Sequence, residues 1–97
     1  MTLAALLEEA SSASPAERIE WRDRIAAYGP QAIEGVRPWL SSPALAGFAI
    51  RVIERAGASS DPAVAAKVLR AARKRVPPAA ADDVAWALQR LRAAGRA

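Results

Sequence analysis

Apolar residues recur along this chain three and four positions apart, and proline, glycine and hydroxyl residues cut that pattern into short segments. Thr2 can cap a first helix that runs to about Ala13, with Leu3, Leu6, Leu7 and Ala10 on one stripe. Ser14-Pro15-Ala16-Glu17 then restarts the chain: a hydroxyl at the N-cap, proline at the first helical position and glutamate placed for a capping box. This second helix, with Trp21, Ile25 and Tyr28 on its stripe and a surface pair Glu20–Arg24, stops at Gly29-Pro30. A third begins near Pro30 and carries Ile33, Val36 and Leu40. Pro38 removes a hydrogen bond inside it, at a cost of about 3 kcal/mol, so this helix is short or kinked.

Ser42-Pro43 repeats the cap-and-proline signal. The fourth helix, to about Ala56, is the most amphipathic, with Leu45, Phe48, Ala49, Val52, Ile53 and Ala56 on its core face and Gly57 at its end. Ser59-Ser60-Asp61-Pro62 opens a fifth helix to about Lys74, with Val64, Val68, Leu69 and Ala72 apolar. Val76-Pro77-Pro78 breaks it. The sixth covers roughly Ala79 to Ala94, buries Val84, Ala87, Leu88 and Leu91, and stops at Gly95. No segment sustains a period of two. The expected fold is therefore all-α, about six helices in three antiparallel hairpins, in one domain spanning 1–97. Aromatic residues are only 5% of the chain and alanine is its commonest residue, which favours closely packed helices over a β-sandwich.

The chain also repeats itself. Phe48-Ala49-Ile50, followed by Ile53, Ala56 and Gly57, superimposes on Trp86-Ala87-Leu88, followed by Leu91, Ala94 and Gly95, at a constant offset of 38 residues. On these segments, and on Gly29-Pro30-Gln31-Ala32-Ile33 through Leu40 and Ser42-Pro43-Ala44-Leu45 through Gly57, the sequence resembles the HEAT-repeat family, in particular its short bacterial members. The resemblance implies a capping hairpin over 2–29, a first repeat over 30–57 and a second over 61–95, arranged as a right-handed solenoid or a compact helical array. A helical hairpin cannot bury its apolar face alone, and about three are the practical minimum for stability.

Chemistry is restricted by what the chain lacks. With no cysteine and no histidine, disulfides, Cys/His zinc sites, catalytic triads and imidazole shuttles are excluded. The carboxylate pairs Glu8-Glu9 and Asp82-Asp83 are adjacent on helices and point about 100° apart, so neither forms a converging dyad. Asp82 and Asp83 suit the first turn of a helix, where the dipole favours negative charge. No glycine-rich phosphate loop is present. A non-enzymatic protein without cofactor or metal is expected.

Charge is unevenly divided. Residues 1–57 hold six basic and seven acidic side chains, whereas residues 58–97 hold eight basic and three acidic ones. Lys67, Arg70, Arg73, Lys74 and Arg75, with Arg90, Arg92 and Arg96, form a candidate face for nucleic acid or an acidic partner. Positions 67, 70 and 74 share one side of the expected fifth helix. Such cations equally suit a solvated surface at a helix C-terminus. Trp86 matches Phe48 in the repeat and is expected in packing, whereas Trp39, beside Pro38, is a candidate interface anchor. The resemblance implies an adaptor that binds a protein partner through successive helices, with self-association through its end faces as a further possibility. The alternative is a non-specific nucleic-acid-binding module using the basic C-terminal helices. No stretch is long and apolar enough for membrane insertion, and acidic Glu8-Glu9 behind the first apolar run is the reverse of a secretory leader, so a cytoplasmic protein is expected.

Overall fold

Side-chain capping sets three of the six α-helix starts. In the computed structural model, which describes residues 2–96 and side chains through 94, Thr2 Oγ1 accepts from the Ala5 N–H (3.2 Å) and opens α1 (Leu3–Ser12). Ser14 opens α2 (Pro15–Ala26): its Oγ accepts from the Glu17 N–H (3.3 Å) and donates to Glu17 Oε1 (2.7 Å), so the carboxylate closes the box on the hydroxyl. Asp61 Oδ1 accepts from the Val64 N–H (3.2 Å) at the start of α5 (Pro62–Ala72). Gly29, at φ 61°, makes the turn from α2 into α3 (Pro30–Val36), a conformation that favours glycine.

Pro38 shortens the third helix. After Val36 the chain tightens into a 3-10 turn over Arg37–Ser41. The expected start of α4 at Ser42-Pro43 is displaced. The Leu45 and Ala46 N–H groups both donate to the Ser42 carbonyl (3.2 and 2.8 Å), and the helix runs Ala46–Ser59. It also passes through Gly57, which was expected to end it, because Gly57 marks a close crossing with α5. The last helix, α6 (Ala81–Arg96), follows a 3-10 turn at Pro78–Ala80 and likewise continues through Gly95.

The architecture is all-α: six α-helices and no strand among the described residues. α1 packs on α2, α3 on α4, and α5 on α6. α4 lies at the centre, against α2, α3, α5 and α6. The extents of 33 × 28 × 20 Å match two helix layers, each about 10 Å thick. α2, α4 and α6 stand side by side in one layer, and α1 packs on α3 in the other. Between the layers Ile25, Ile33, Ile50, Ile53, Leu69 and Leu91 are fully buried. Burying a large aliphatic side chain contributes roughly 1.5–3 kcal/mol, so this interior carries the stability that so few aromatics cannot.

The internal repeat is matched in burial at two positions and diverges at others: Ala56 is fully buried where Ala94 is exposed, and Ile50 is buried where Leu88 is half-buried. Ala49 and Ala87 are both fully buried, as are Ile53 and Leu91. Phe48 is half-buried beneath Trp39, with ring centroids 6.1 Å apart, whereas Trp86 is 58% exposed, contrary to the packing expected of it. The residue 38 positions after Trp39 is Pro77, so the second copy lacks the aromatic that covers its counterpart. The Glu20–Arg24 pair is also absent: the Arg24 guanidinium lies over the Trp21 ring, 4.8 Å from its centroid.

Gly47, one residue into α4, faces open space, with nothing within 4 Å of a Cβ built there. Gly47→Ala should therefore stabilise the fold by about 0.5–1 kcal/mol through helix propensity alone, read as a raised urea midpoint.

Candidate functional site

The outward stripes of three neighbouring helices make the most developed surface feature. α4 turns its wide apolar face inward, which leaves Gly47, Arg51, Glu54, Arg55 and Ala58 along its outer side at helical spacing. Asp83, Trp86 and Arg90 recur at three and four residues on α6, and Ile19 and Arg22 do so on α2. Side by side, these stripes enclose a groove of about 480 Å³ lined by Arg22, Arg51, Glu54, Arg55, Trp86 and Arg90, among others. A second groove, of about 370 Å³, runs between α2 and α4 past Ile19 and Phe48 and shares Arg22 and Arg51 with the first.

Ion pairs stiffen this face. Arg90 holds Glu54 with two bonds, Nε to Oε2 at 2.7 Å and Nη2 to Oε1 at 2.8 Å, which ties α6 to α4. The hydrogen bonds that Arg90 donates to Glu54 raise the Arg90 pKa above its usual value, and the charges of Glu54 and Asp83 act in the same direction. Asp23 Oδ1 receives Arg55 Nε at 3.1 Å and Arg22 Nε at 3.3 Å, joining α2 to α4. Arg51, between these pairs, is exposed and has no ion pair among the described residues. Such a surface offers planar, bidentate guanidinium donors suited to carboxylate or phosphate groups.

Of the basic residues singled out in the sequence, Arg70 with Arg92, Arg75 and Arg90 line three different grooves. Lys67, Arg70, Arg73, Lys74, Arg75 and Arg92 are all exposed and make no ion pair among the described residues. α5 ends at Ala72, and the Arg75 and Val76 N–H groups both donate to the Ala72 carbonyl, so Arg73, Lys74 and Arg75 lie in a turn rather than on the helix. Arg70 and Arg92 both line a groove between α5 and α6. Arg75 instead lines a groove with Glu34 and Arg37. Arg90 faces away from Arg92, because residues two apart on a helix point about 200° apart, and it belongs to the α2–α4–α6 groove. The Arg96 side chain lies outside the described residues. Trp39 is half-buried against Phe48.

No protein-family model, no curated protein and no solved structure matches the chain. The site therefore rests on its own geometry. Sequence reasoning missed Arg22, Arg51, Arg55, Ile19 and the exposure of Trp86, all on the even-numbered helices. The available signal was the polar stripe of α4, where Arg51 and Arg55 stand one turn apart opposite the core face. Counting charge by halves of the chain hid it, because those arginines lie in the nearly neutral N-terminal part. Among the described residues no group of three or more metal-ligating side chains converges, and no helix is long and apolar enough to cross a membrane.

Proposed function

We propose that this chain is a non-catalytic, HEAT-like helical-repeat adaptor that receives a protein partner on the α2–α4–α6 face. The observation that carries the proposal is the common groove onto which three successive second helices turn Arg22, Arg51, Arg55, Arg90 and the 58%-exposed Trp86. Exposed tryptophan and arginine at the centre of a concave surface are the residue types that dominate protein-interface energetics. Support for the HEAT-like assignment comes from the packing of α2, α4 and α6 in one layer and from the matched burial of Ala49 with Ala87 and Ile53 with Leu91. The same proposal takes the adaptor to be a cytoplasmic one.

Selection of random displayed peptides on the immobilised protein tests the docking role. Enriched peptides are expected to lose binding to Trp86→Ala and to Arg51→Glu. Peptides indifferent to both substitutions would remove the groove from consideration.

A second use of the surface has its own support. The exposed cations of the C-terminal part, Lys67, Arg70, Arg73, Lys74, Arg75 and Arg92, are uncompensated by any carboxylate among the described residues, unlike Arg22, Arg55 and Arg90. A non-specific nucleic-acid module would bind labelled random duplex DNA with an affinity that falls linearly in log–log against salt. Changing Lys67, Arg70 and Lys74 together to glutamate would abolish it. The adaptor assignment expects no DNA binding at physiological salt, and fluorescence polarisation at two salt concentrations distinguishes the two.

A further inference from the structure

The two grooves adjoin at Arg22 and Arg51, and together they make a trough that spans α2, α4 and α6. Three large apolar side chains are exposed among the described residues: Ile19 at 62%, Val64 at 41% and Trp86 at 58%. Two of them, Ile19 and Trp86, stand at opposite sides of this trough, one on α2 and the other on α6. Between them the charge is one-sided. Arg22, Arg51, Arg55 and Arg90 line the main groove against only Glu54 and Asp83. Arg51 has no ion pair among the described residues. Arg22 and Arg55 share a single oxygen of Asp23, which leaves most of their N–H donors unanswered.

We propose that the occupant of this trough is a short acidic segment of a partner protein, with an apolar residue on each side of its acidic centre. This rests on the docking role assigned to the same face and names the chemistry that would fill it. Carboxylates complement the arginine row by bidentate bonds, and the two apolar residues cover Ile19 and Trp86. Two interaxial steps of 8–10 Å separate α2 from α6, or about 20 Å. An extended peptide crosses that distance in about six residues at roughly 3.3 Å each. The trough therefore selects spacing as well as charge. Glu54 and Asp83 within it disfavour an uninterrupted phosphate backbone, whereas a peptide can set its own N–H groups against them.

Fluorescence polarisation on the full chain tests this with three labelled seven-residue probes and a random DNA duplex. The first probe carries leucine and phenylalanine ends around four acidic residues and a central glycine. The second has glycine at both ends, and the third has lysine in place of every acid. The first probe is expected to bind at least about tenfold more tightly than either control, and to lose about tenfold in affinity on Trp86→Ala and again on Arg51→Glu. Both side chains are exposed, so both variants should melt like the parent protein. Equal binding of the lysine probe, indifference of the acidic probe to both substitutions, or displacement of that probe by duplex DNA at lower concentration would each overturn the proposal. Displayed peptides that depend on Trp86 and Arg51 yet lack an acidic centre would remove this proposal and leave the docking role standing. If no displayed peptide depends on either residue, both fall together.

Discussion

Arg18→Met is expected to lower the stability of the fold by about 3 kcal/mol, the largest effect of any single polar substitution in the chain. Arg18 is only 8% exposed, and every partner of its guanidinium is a backbone carbonyl. Nε donates to the Ala10 oxygen at 2.8 Å, Nη2 to that of Ala13 at 2.7 Å, and Nη1 to that of Ala44 at 3.4 Å. Ala10 and Ala13 lie at the C-terminal end of α1, where the dipole is negative and the Ala10 carbonyl otherwise accepts only the Ala13 N–H, at 3.3 Å. The guanidinium thus caps α1 from the first turn of α2 and ties both to the turn that precedes α4. Helix-end carbonyls, rather than a carboxylate, compensate the buried cation. Methionine keeps most of the volume, so the loss reports the hydrogen bonds taken from these carbonyls rather than a cavity. For a domain of this size, 3 kcal/mol corresponds to about 15 °C in Tm. Urea unfolding and calorimetry measure both quantities, with Arg24→Met as the exposed control at under about 1 kcal/mol. A Tm within two or three degrees of the parent would show that Arg18 is not the clamp described.

Gly57→Ala should destabilise the protein by about 2–3 kcal/mol, although the same change in an open helix interior stabilises by about 1 kcal/mol. The added Cβ would overlap the Cβ of Ala65 on α5 and stand 3.3 Å from Leu91 Cδ2 on α6. Ala65 has no rotamer with which to withdraw, so α4 and α5 would have to part at their closest approach. The compensating change is Ala65→Gly. In the double variant most of the lost stability should return, even though a glycine within α5 costs about 1 kcal/mol on its own. A double variant no more stable than Gly57→Ala alone would remove the contact as the cause. With Gly47→Ala, the series separates glycine as a helix weakness from glycine as a packing requirement on one helix.

The contrast between Gly29 and Gly57 shows where local reading stops. Both precede or accompany a predicted helix end, and each has a plausible terminating role in sequence. Gly29 does make a turn, at φ 61°, whereas Gly57 is helical and buried. Only the passage of α5 distinguishes them. Ser14-Pro15 and Ser42-Pro43 present the same pair, yet only the first caps a helix directly. Arg18 likewise could not be told from Arg22 or Arg24 by spacing, because its burial depends on where α1 ends in space. The α2–α4–α6 groove was hidden for a related reason: its residues come from three helices far apart in sequence, each contributing to a shared surface.

The chain by itself determined the all-α class, the number of helices and most of their starts. Those features depend on contacts within one turn: a hydroxyl or carboxylate reaching the N–H three residues on, a proline without a donor, apolar residues recurring every three or four positions. The tertiary structure decided which glycine turns and which permits contact, which arginine is buried, and which tryptophan is covered. Trp39 shelters Phe48, while Trp86 stands in the open. Each of these outcomes depends on what a neighbouring helix brings to the same point in space, and a pattern read along one helix contains no information about its neighbour.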